Sequence, residues 1–370
     1  MRRDRMNRTF LYDVHVALGG RMVDFAGWEL PVQYPTGPLE EHKRVREAAG
    51  LFDIDHMGQV VVAGPDALSF LQKIQVNDIS TMAINDARYS LMCYADGSVI
   101  DDIFLYRVAG ASWWVIVNAS NRKKDVEWMQ TQAVGMNVSV TDISDDTYML
   151  ALQGPQAQAI LQRLTDLDLA TVKFHTCAQV TVAGVVTLLG ATGYTGEYGY
   201  ELFFPAAQAV ALWNAILEAG KPEGILPCGL AARDSLRFEP CLPLYGHEIH
   251  ARVDPISARL SWAVSFKKGD FSGREALLKI KLEGPAQRLV GFEMVERGVP
   301  RAEYPVAIAG QVVGVVTTGM KSPTTDRFVG LAYVPAASAA VGSQIDIVIR
   351  DTPKKATVVK TPFYVAAYRR

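Results

Sequence analysis

The chain is poor in several things that would define its class. No apolar run approaches the length of a membrane span, so neither a membrane-spanning role nor a membrane partner is expected. Cysteine is scarce: Cys93, Cys177, Cys228 and Cys241 are scattered over 370 residues, with no Cys-x-x-Cys pair. They read as reduced thiols of a cytoplasmic protein and not as a disulfide frame. Neither sign of charge dominates. With 37 basic and 39 acidic residues the formal charge is −2, which excludes a surface built to coat nucleic acid. The cluster Arg2, Arg3, Arg5 and Arg8 lacks the apolar stretch of a secretory signal. His247-Glu248-Ile249-His250 is one residue short of His-Glu-x-x-His and has no evident third ligand, so no metal is expected. The glycines at 193, 196 and 199 are spaced Gly-x-x-Gly-x-x-Gly, which is not the dinucleotide fingerprint.

What is present fits a globular enzyme. Hydrophobic residues make up 49% and charged residues 21%, and the length exceeds what one compact core accommodates, so two or three domains are expected. Residues Pro38 to Ala49 read as a helix stopped by Gly50, followed by a strand over Gln59 to Ala63. An internal echo comes next. Val62-Ala63-Gly64-Pro65 leads into a helix ending near Ile74, and ninety positions on Leu152-Gln153-Gly154-Pro155 leads into one ending near Leu164. One strand, Gly-Pro, helix unit used twice predicts two α+β subdomains of similar plan. Strands are expected around Ala87–Tyr94, Val99–Arg107, Trp113–Val117 and Val180–Leu189, and helices over Asn121 to Ala133, Ala206 to Ala219 and Gly229 to Arg237. The opening residues lack periodicity and read as loop and short strand. From about Gln287, short β-branched runs separated by Gly and Pro predict a separate small barrel or sandwich.

The stretch with the most chemistry is Gly97-Ser98-Val99-Ile100-Asp101-Asp102-Ile103-Phe104-Leu105-Tyr106-Arg107. Strand neighbours point to opposite faces, so Ile100, Asp102, Phe104 and Tyr106 share one face while Asp101, Ile103 and Leu105 take the other. A carboxylate among aromatic rings is a candidate general base, because partial desolvation raises its proton affinity. The plainer alternative is an acid that caps a turn or pairs with Arg107. Farther on, Gly193 to Gly199 permit a bend that brings Tyr194 and Glu201 toward one cavity.

Several stretches together resemble one family, over nearly the whole chain. They are Val23-Asp24-Phe25-Ala26-Gly27-Trp28-Glu29, His56-Met57-Gly58, Gly97 to Asp102, Gly193 to Glu201 and Cys228 to Asp234. Leu242-Pro243-Leu244-Tyr245-Gly246-His247-Glu248 and Lys360-Thr361-Pro362-Phe363 complete the set. In this order and spacing they are similar to the glycine cleavage system T-protein, a tetrahydrofolate-dependent aminomethyltransferase. The resemblance implies an α+β cloverleaf of three domains around a central folate cavity. Residues 1–54 with 147–250 and residues 55–146 with 251–284 would be two interleaved α+β domains, and 285–370 a C-terminal β-barrel-like domain.

It also implies the reaction, in which a methylene group passes from an aminomethyl-dihydrolipoyl arm of the H-protein to tetrahydrofolate with release of ammonia. By position, Asp102 corresponds to the acid beside the folate nitrogen. Met57, Tyr89, Tyr106, Asn118, Tyr194 and Arg233 correspond to residues lining the folate, Glu201 to the acid that reads the pterin's amino edge, and Tyr368 to a closing tyrosine. Taken alone, Tyr89 and Tyr106 read as half-buried strand tyrosines, and Arg233 as a partner of Asp234 or Glu239. The chain departs from the family's usual pattern at Asp55 (commonly Ser), Ala191 (frequently Arg), Tyr198 (commonly an acid) and Pro240-Cys241 (small residues). These departures are expected around the mouth of the pocket. They leave open a tetrahydrofolate-dependent demethylase of a small methylated donor, or a non-catalytic folate-binding protein, on the same fold.

Overall fold

The structure is a computed structural model and describes residues 6–366. It divides into two units. One holds the residues up to Phe70, Ser80–Arg88 and Ile103–Leu236. The other holds Leu71–Ile79, Tyr89–Asp102 and the residues from Arg237 onward. Two strands run through the division: Ala87–Cys93 crosses it after Arg88, and Val99–Ala109 after Asp102.

The first unit is built on a six-stranded sheet in the order Cys177–Val182, Val185–Gly190, Gly199–Pro205, Thr147–Gln153, Gly50–Asp53, Leu226–Pro227. Its neighbours are antiparallel except for the last pair. Side chains alternate between faces, and both faces carry a core. Leu150, Leu152, Leu202 and Phe204 pack with Trp213 and Ile216 of helix Ala209–Ala219 and with Ile160 and Leu161 of helix Ala157–Gln162. Met149, Ala151 and Phe203 point the other way, toward Phe52, Tyr106, Ala232 and Leu236.

The echo is present down to the backbone. Strand Gly58–Ala63 and helix Ala67–Ile74 flank Gly64, and strand Thr147–Gln153 and helix Ala157–Gln162 flank Gly154. The two glycines have φ of 133° and 129°. A Cβ would sit 2.5 Å from the Asn137 carbonyl oxygen at the first and 2.4 Å from that of Ala48 at the second. Only glycine fits either turn.

Two readings need correction. The stretch Val180–Leu189 is a hairpin, Cys177–Val182 with Val185–Gly190, in which Val182 pairs with Val185 across a two-residue loop. The opening residues form a three-stranded sheet, Asn7–Arg8, Trp28–Gln33, Arg21–Phe25, whose hairpin closes at the Phe25–Trp28 pair. Both loops are Ala-Gly, at Ala26-Gly27 and Ala183-Gly184, and both residues of each have positive φ. Such turns usually announce themselves by Asn-Gly or Asp-Gly, so alanine conceals them. Smaller shifts of a residue or so fall at the ends of strands and helices. The helix from Pro38 stops at Glu47, and Ala206–Gln208 is a 3₁₀ turn ahead of Ala209–Ala219.

In the second unit the residues from Gln287 form a closed six-stranded antiparallel barrel. Its order is Gln287–Met294, Phe328–Pro335, Gln311–Lys321, Pro305–Ile308, Gln344–Ile349, Thr352–Val359. Phe292, Val306, Val334, Ile347 and Val358 fill its centre. Closure removes exposed strand edges.

Candidate active site

In the first unit, Glu201 on strand Gly199–Pro205 is gripped by one oxygen. Its Oε2 accepts from Thr192 Oγ1 at 2.6 Å and from Tyr106 Oη at 3.0 Å, and those two hydroxyls lie 2.7 Å apart. Among the described residues its Oε1 has no partner, and the side chain is half-buried. The carboxylate is therefore oriented but keeps an acceptor oxygen. Burial, then the nearby Glu201 charge, pushes the Tyr106 phenol well above its ordinary range, so it stays a neutral donor.

Tyr106 itself departs from expectation. It is fully enclosed, packed edge-on to Phe203 at 5.3 Å, so it acts through Glu201 instead of offering a free ring. Met57 packs against the cluster that contains Tyr106.

The bend at Gly193–Gly199 is held from beneath. Gln153 Nε2 donates to the Thr192 carbonyl at 3.0 Å, and Thr195 Oγ1 donates to Gln153 Oε1 at 2.9 Å. A Cβ on Gly193 would fall 1.9 Å from Gln153 Oε1. Arg46 donates to the Thr195 carbonyl at 2.6 Å, to Glu197 at 3.0 Å and to the Leu236 carbonyl at 3.3 Å. It thus ties the bend to helix Leu230–Phe238, which carries Arg233. The Arg233 guanidinium lies 4.8 Å from the centre of the Tyr194 ring. Asn118 is half-buried where strand Ser112–Val117 gives way to the turn Ala119–Asn121.

In the second unit, Tyr89 Oη donates to Asp102 Oδ2 at 3.1 Å, and both residues are half-buried. The other face of this strand is closed. Asp101 is fully buried, as are Leu105 and, within 2%, Ile103. The Tyr89 ring stacks on Trp262, with centroids 5.5 Å apart and planes 27° from parallel. Asn77 Nδ2 donates to the Tyr89 carbonyl at 2.9 Å. Lys268 Nζ reaches the carbonyls of Gln72 at 2.7 Å and Asn77 at 2.8 Å, and that of Gln75 as well. Burial pushes the Lys268 amine down to about 7.

The near-metalloprotease stretch has other work. Glu248 is buried against Arg237 at 2.7 Å and accepts from Thr317 and Thr318, while His247 Nδ1 lies 3.1 Å from the Thr317 carbonyl. Glu239 is likewise taken, by Ser322 and Thr324. Tyr368 lies outside the described residues.

Residues 11–268 match the family model of the GCVT N-terminal domain, and residues 287–364 match that of the glycine cleavage T-protein C-terminal barrel domain. The chain belongs to the glycine cleavage T-protein family. The aminomethyltransferase of Symbiobacterium thermophilum is 51% identical over 99% of this chain and all of its own. That of Herpetosiphon aurantiacus is 48% identical with the same coverage. A crystal structure of the glycine cleavage system aminomethyltransferase T from Bartonella henselae superposes with a TM-score of 0.93 at 34% identity, over 99% of this chain and 100% of that one.

The departures from the family's usual pattern differ in burial. Asp55 is buried. Its Oδ1 accepts from the Met149 amide at 3.2 Å and its own amide donates to Asp53 Oδ1 at 3.1 Å. Burial, reinforced by the Asp53 charge, pushes its carboxyl up to about 9, so it is neutral at pH 7. For Asp53 burial acts in the same direction, but His15 at 2.9 Å and Thr9 at 2.7 Å outweigh it and keep that acid ionised. His56, next in the chain, is driven down to about 3 by burial and then by Arg233, and remains neutral. Ala191 is fully buried. Tyr198 is half-buried, donates to the Val172 carbonyl at 3.0 Å and packs edge-on to Tyr200. Cys241 is half-buried in a left-handed backbone conformation.

Four residues of this framework gave no signal in the sequence: Thr192, Gln153, Arg46 and Trp262. The first three are polar groups with partners distant in the chain, Tyr106 for Thr192, Thr192 for Gln153 and Thr195 for Arg46. The glycine spacing at 193–199 was the available pointer to them, since a bend with no room for a Cβ implies a side chain packed beneath it.

Proposed function

We infer that this protein is the aminomethyltransferase of glycine cleavage and that it takes its one-carbon group from the aminomethyl-dihydrolipoyl arm of an H-protein. Tetrahydrofolate supplies the amine nucleophile that accepts the methylene. The observation that carries this reading is the state of Glu201, pinned through Oε2 by Thr192 and Tyr106 with Oε1 left to accept. A fixed carboxylate oxygen suits the paired N–H donors of a pterin's amino edge.

In this proposal Asp102 takes or steers the proton of the attacking amine, and Tyr89, donating to Oδ2, holds it in orientation. Tyr194, Arg233, Met57 and Asn118 line the folate. Two nitrogens of tetrahydrofolate form bonds to the methylene carbon as its bonds to the amine nitrogen and to the lipoyl sulfur break, releasing ammonia and the dihydrolipoyl thiol. The three-part division of the chain at 54/55, 146/147, 250/251 and 284/285 belongs to the same proposal.

The test is turnover with tetrahydrofolate and aminomethylated H-protein, followed by ammonia release. Ammonia formed in step with methylenetetrahydrofolate supports the reading. Efficient demethylation of a small methylated amine or sulfonium, indifferent to H-protein, would replace it with the demethylase.

A further inference from the structure

At one end of the barrel two exposed arginines, Arg259 and Arg288, line an apolar hollow of about 120 Å³. Its floor is the end of the barrel's own core. Val290 and Val358 belong to the cluster that fills the centre, Ala339 packs against it, and Val341, 60% exposed, lines the hollow as well. Arg288 occupies a position that strand alternation assigns to the barrel interior. It lies two residues before Val290 and four before Phe292, and it pairs across the ladder with buried Val334. An aliphatic side chain there would simply extend the core. Among the described residues Arg288 has no hydrogen-bond or ion-pair partner. Arg259 is equally unexpected. Its φ is 63°, a region that disfavours any residue with a Cβ and usually selects glycine or asparagine. Its side chain is nonetheless fixed, since Nη1 donates to Thr361 Oγ1 at 3.0 Å. The loop that carries Val341 is fixed too. The Gly342 amide donates to the Val358 carbonyl at 2.8 Å, and the Val358 amide to the Ser343 carbonyl at 2.9 Å. All these residues belong to one unit, and none of the described residues lining the hollow is acidic. Two like charges at one rim, with no acid between them, repel unless an anion joins them.

We propose that this hollow binds a small aliphatic carboxylate, its chain on the Val290 and Val358 floor and its carboxylate taken by Arg259 and Arg288. The choice of ligand follows from the two halves of the site. A guanidinium matches the planar pair of carboxylate oxygens and remains charged at any physiological pH. A bare inorganic anion would satisfy the arginines but leave the aliphatic floor uncovered, whereas an uncharged hydrocarbon would do the reverse. Size narrows the class further. A cavity of about 150 Å³ accommodates a benzene molecule, so one of about 120 Å³ admits a chain of roughly four carbons. None of the lining residues is shared with the candidate active site.

The experiment is calorimetry on the full chain with pentanoate, acetate and pentan-1-ol. Pentanoate should bind with a Kd of about 1 mM, and acetate and pentanol about tenfold more weakly, since each lacks one half of the match. Arg288→Met keeps an apolar stem and loses the charge, and it should weaken pentanoate binding about tenfold. Arg259→Asn should weaken it similarly while raising the melting temperature of the ligand-free protein, because asparagine tolerates the left-handed backbone. Weaker binding by a more stable protein cannot be a failure to fold. Three results overturn the proposal. They are no binding of pentanoate at about 10 mM, acetate or pentanol bound as tightly as pentanoate, and pentanoate bound by both variants as by wild type. The last would place the acid in some other cavity.

Discussion

Two adjacent acids of identical chemistry meet different surroundings because a strand turns one inward and the other out. Asp102 is half-buried with Tyr89 on one oxygen, whereas Asp101 is wholly buried and partnered. Asp102→Asn should lower kcat by about 10²–10⁴-fold with little change in folate affinity, as for loss of a general base. Asp101→Asn should leave kcat within a fewfold. Full burial makes it costlier to stability than a surface acid, at about 1–3 kcal/mol by denaturant titration. The reverse pattern would move the mechanism to Asp101. Asp55 makes a separate prediction. Its folded-state carboxyl, up to about 9, binds its proton far more tightly than an unfolded aspartate does. Between about pH 4 and 9 the folded state holds a proton that the unfolded state has lost, so this group's stabilisation declines as pH rises through that window. Asp55→Asn, uncharged throughout, should raise the melting temperature more at pH 8.5 than at pH 5.5. An equal shift at both would mean that Asp55 is ionised in the fold. The strand face of Asp102 and the bend ahead of Glu201 were legible in the sequence because their patterns are local, two acids on an alternating strand and an acid behind a run of spaced glycines. Tyr106 was legible as a strand tyrosine but not as an enclosed one, since it packs on Phe203 nearly a hundred residues away.

At the level of the element, hairpin turns repeat one unfavourable choice. Ala26-Gly27, Ala183-Gly184 and Ala309-Gly310 each close a two-residue loop with positive φ at both positions, and the alanines, at 52°, 49° and 51°, are exposed. Alanine in this region meets its own carbonyl sterically, at a cost of about 1 kcal/mol or more, which glycine avoids and asparagine reduces. Ala26→Asn, Ala183→Asn and Ala309→Asn should therefore each stabilise the protein by about 0.5–1 kcal/mol. The three should add nearly independently, since they lie in different hairpins. Thermal melts of the single and triple variants check this, and a triple variant no more stable than wild type would show that the turns are relaxed by some other means. The same alanines explain why the barrel strands and long amphipathic helices were readable while two hairpins were not. Periodicity over six or more residues survives in a sequence, but a turn that depends on two dihedral angles leaves no mark when its usual residues are absent.

For the whole molecule, binding is the measurable link between fold and function. Tetrahydrofolate should raise the melting temperature with concentration, by about 2.7 kcal/mol of added stability at a hundred times Kd. Glu201→Ala should remove most of that shift, and a full shift in that variant would take Glu201 out of the site. Among the described residues no helix is long and apolar enough to cross a membrane. The plan of the chain, mixed α+β followed by a barrel, was legible because composition changes near Gln287. Its passage between units within two strands was not, since nothing in a continuous strand marks where its surroundings change. The closed barrel also sets an order of events during synthesis. Its first strand, Gln287–Met294, is finally paired with its last, Thr352–Val359, and Gly291 meets Val359, 68 positions later (359 − 291). At a ribosomal pace of about 5–20 residues per second, the first strand waits several seconds with one edge unsatisfied. For that interval it is a template for any passing strand.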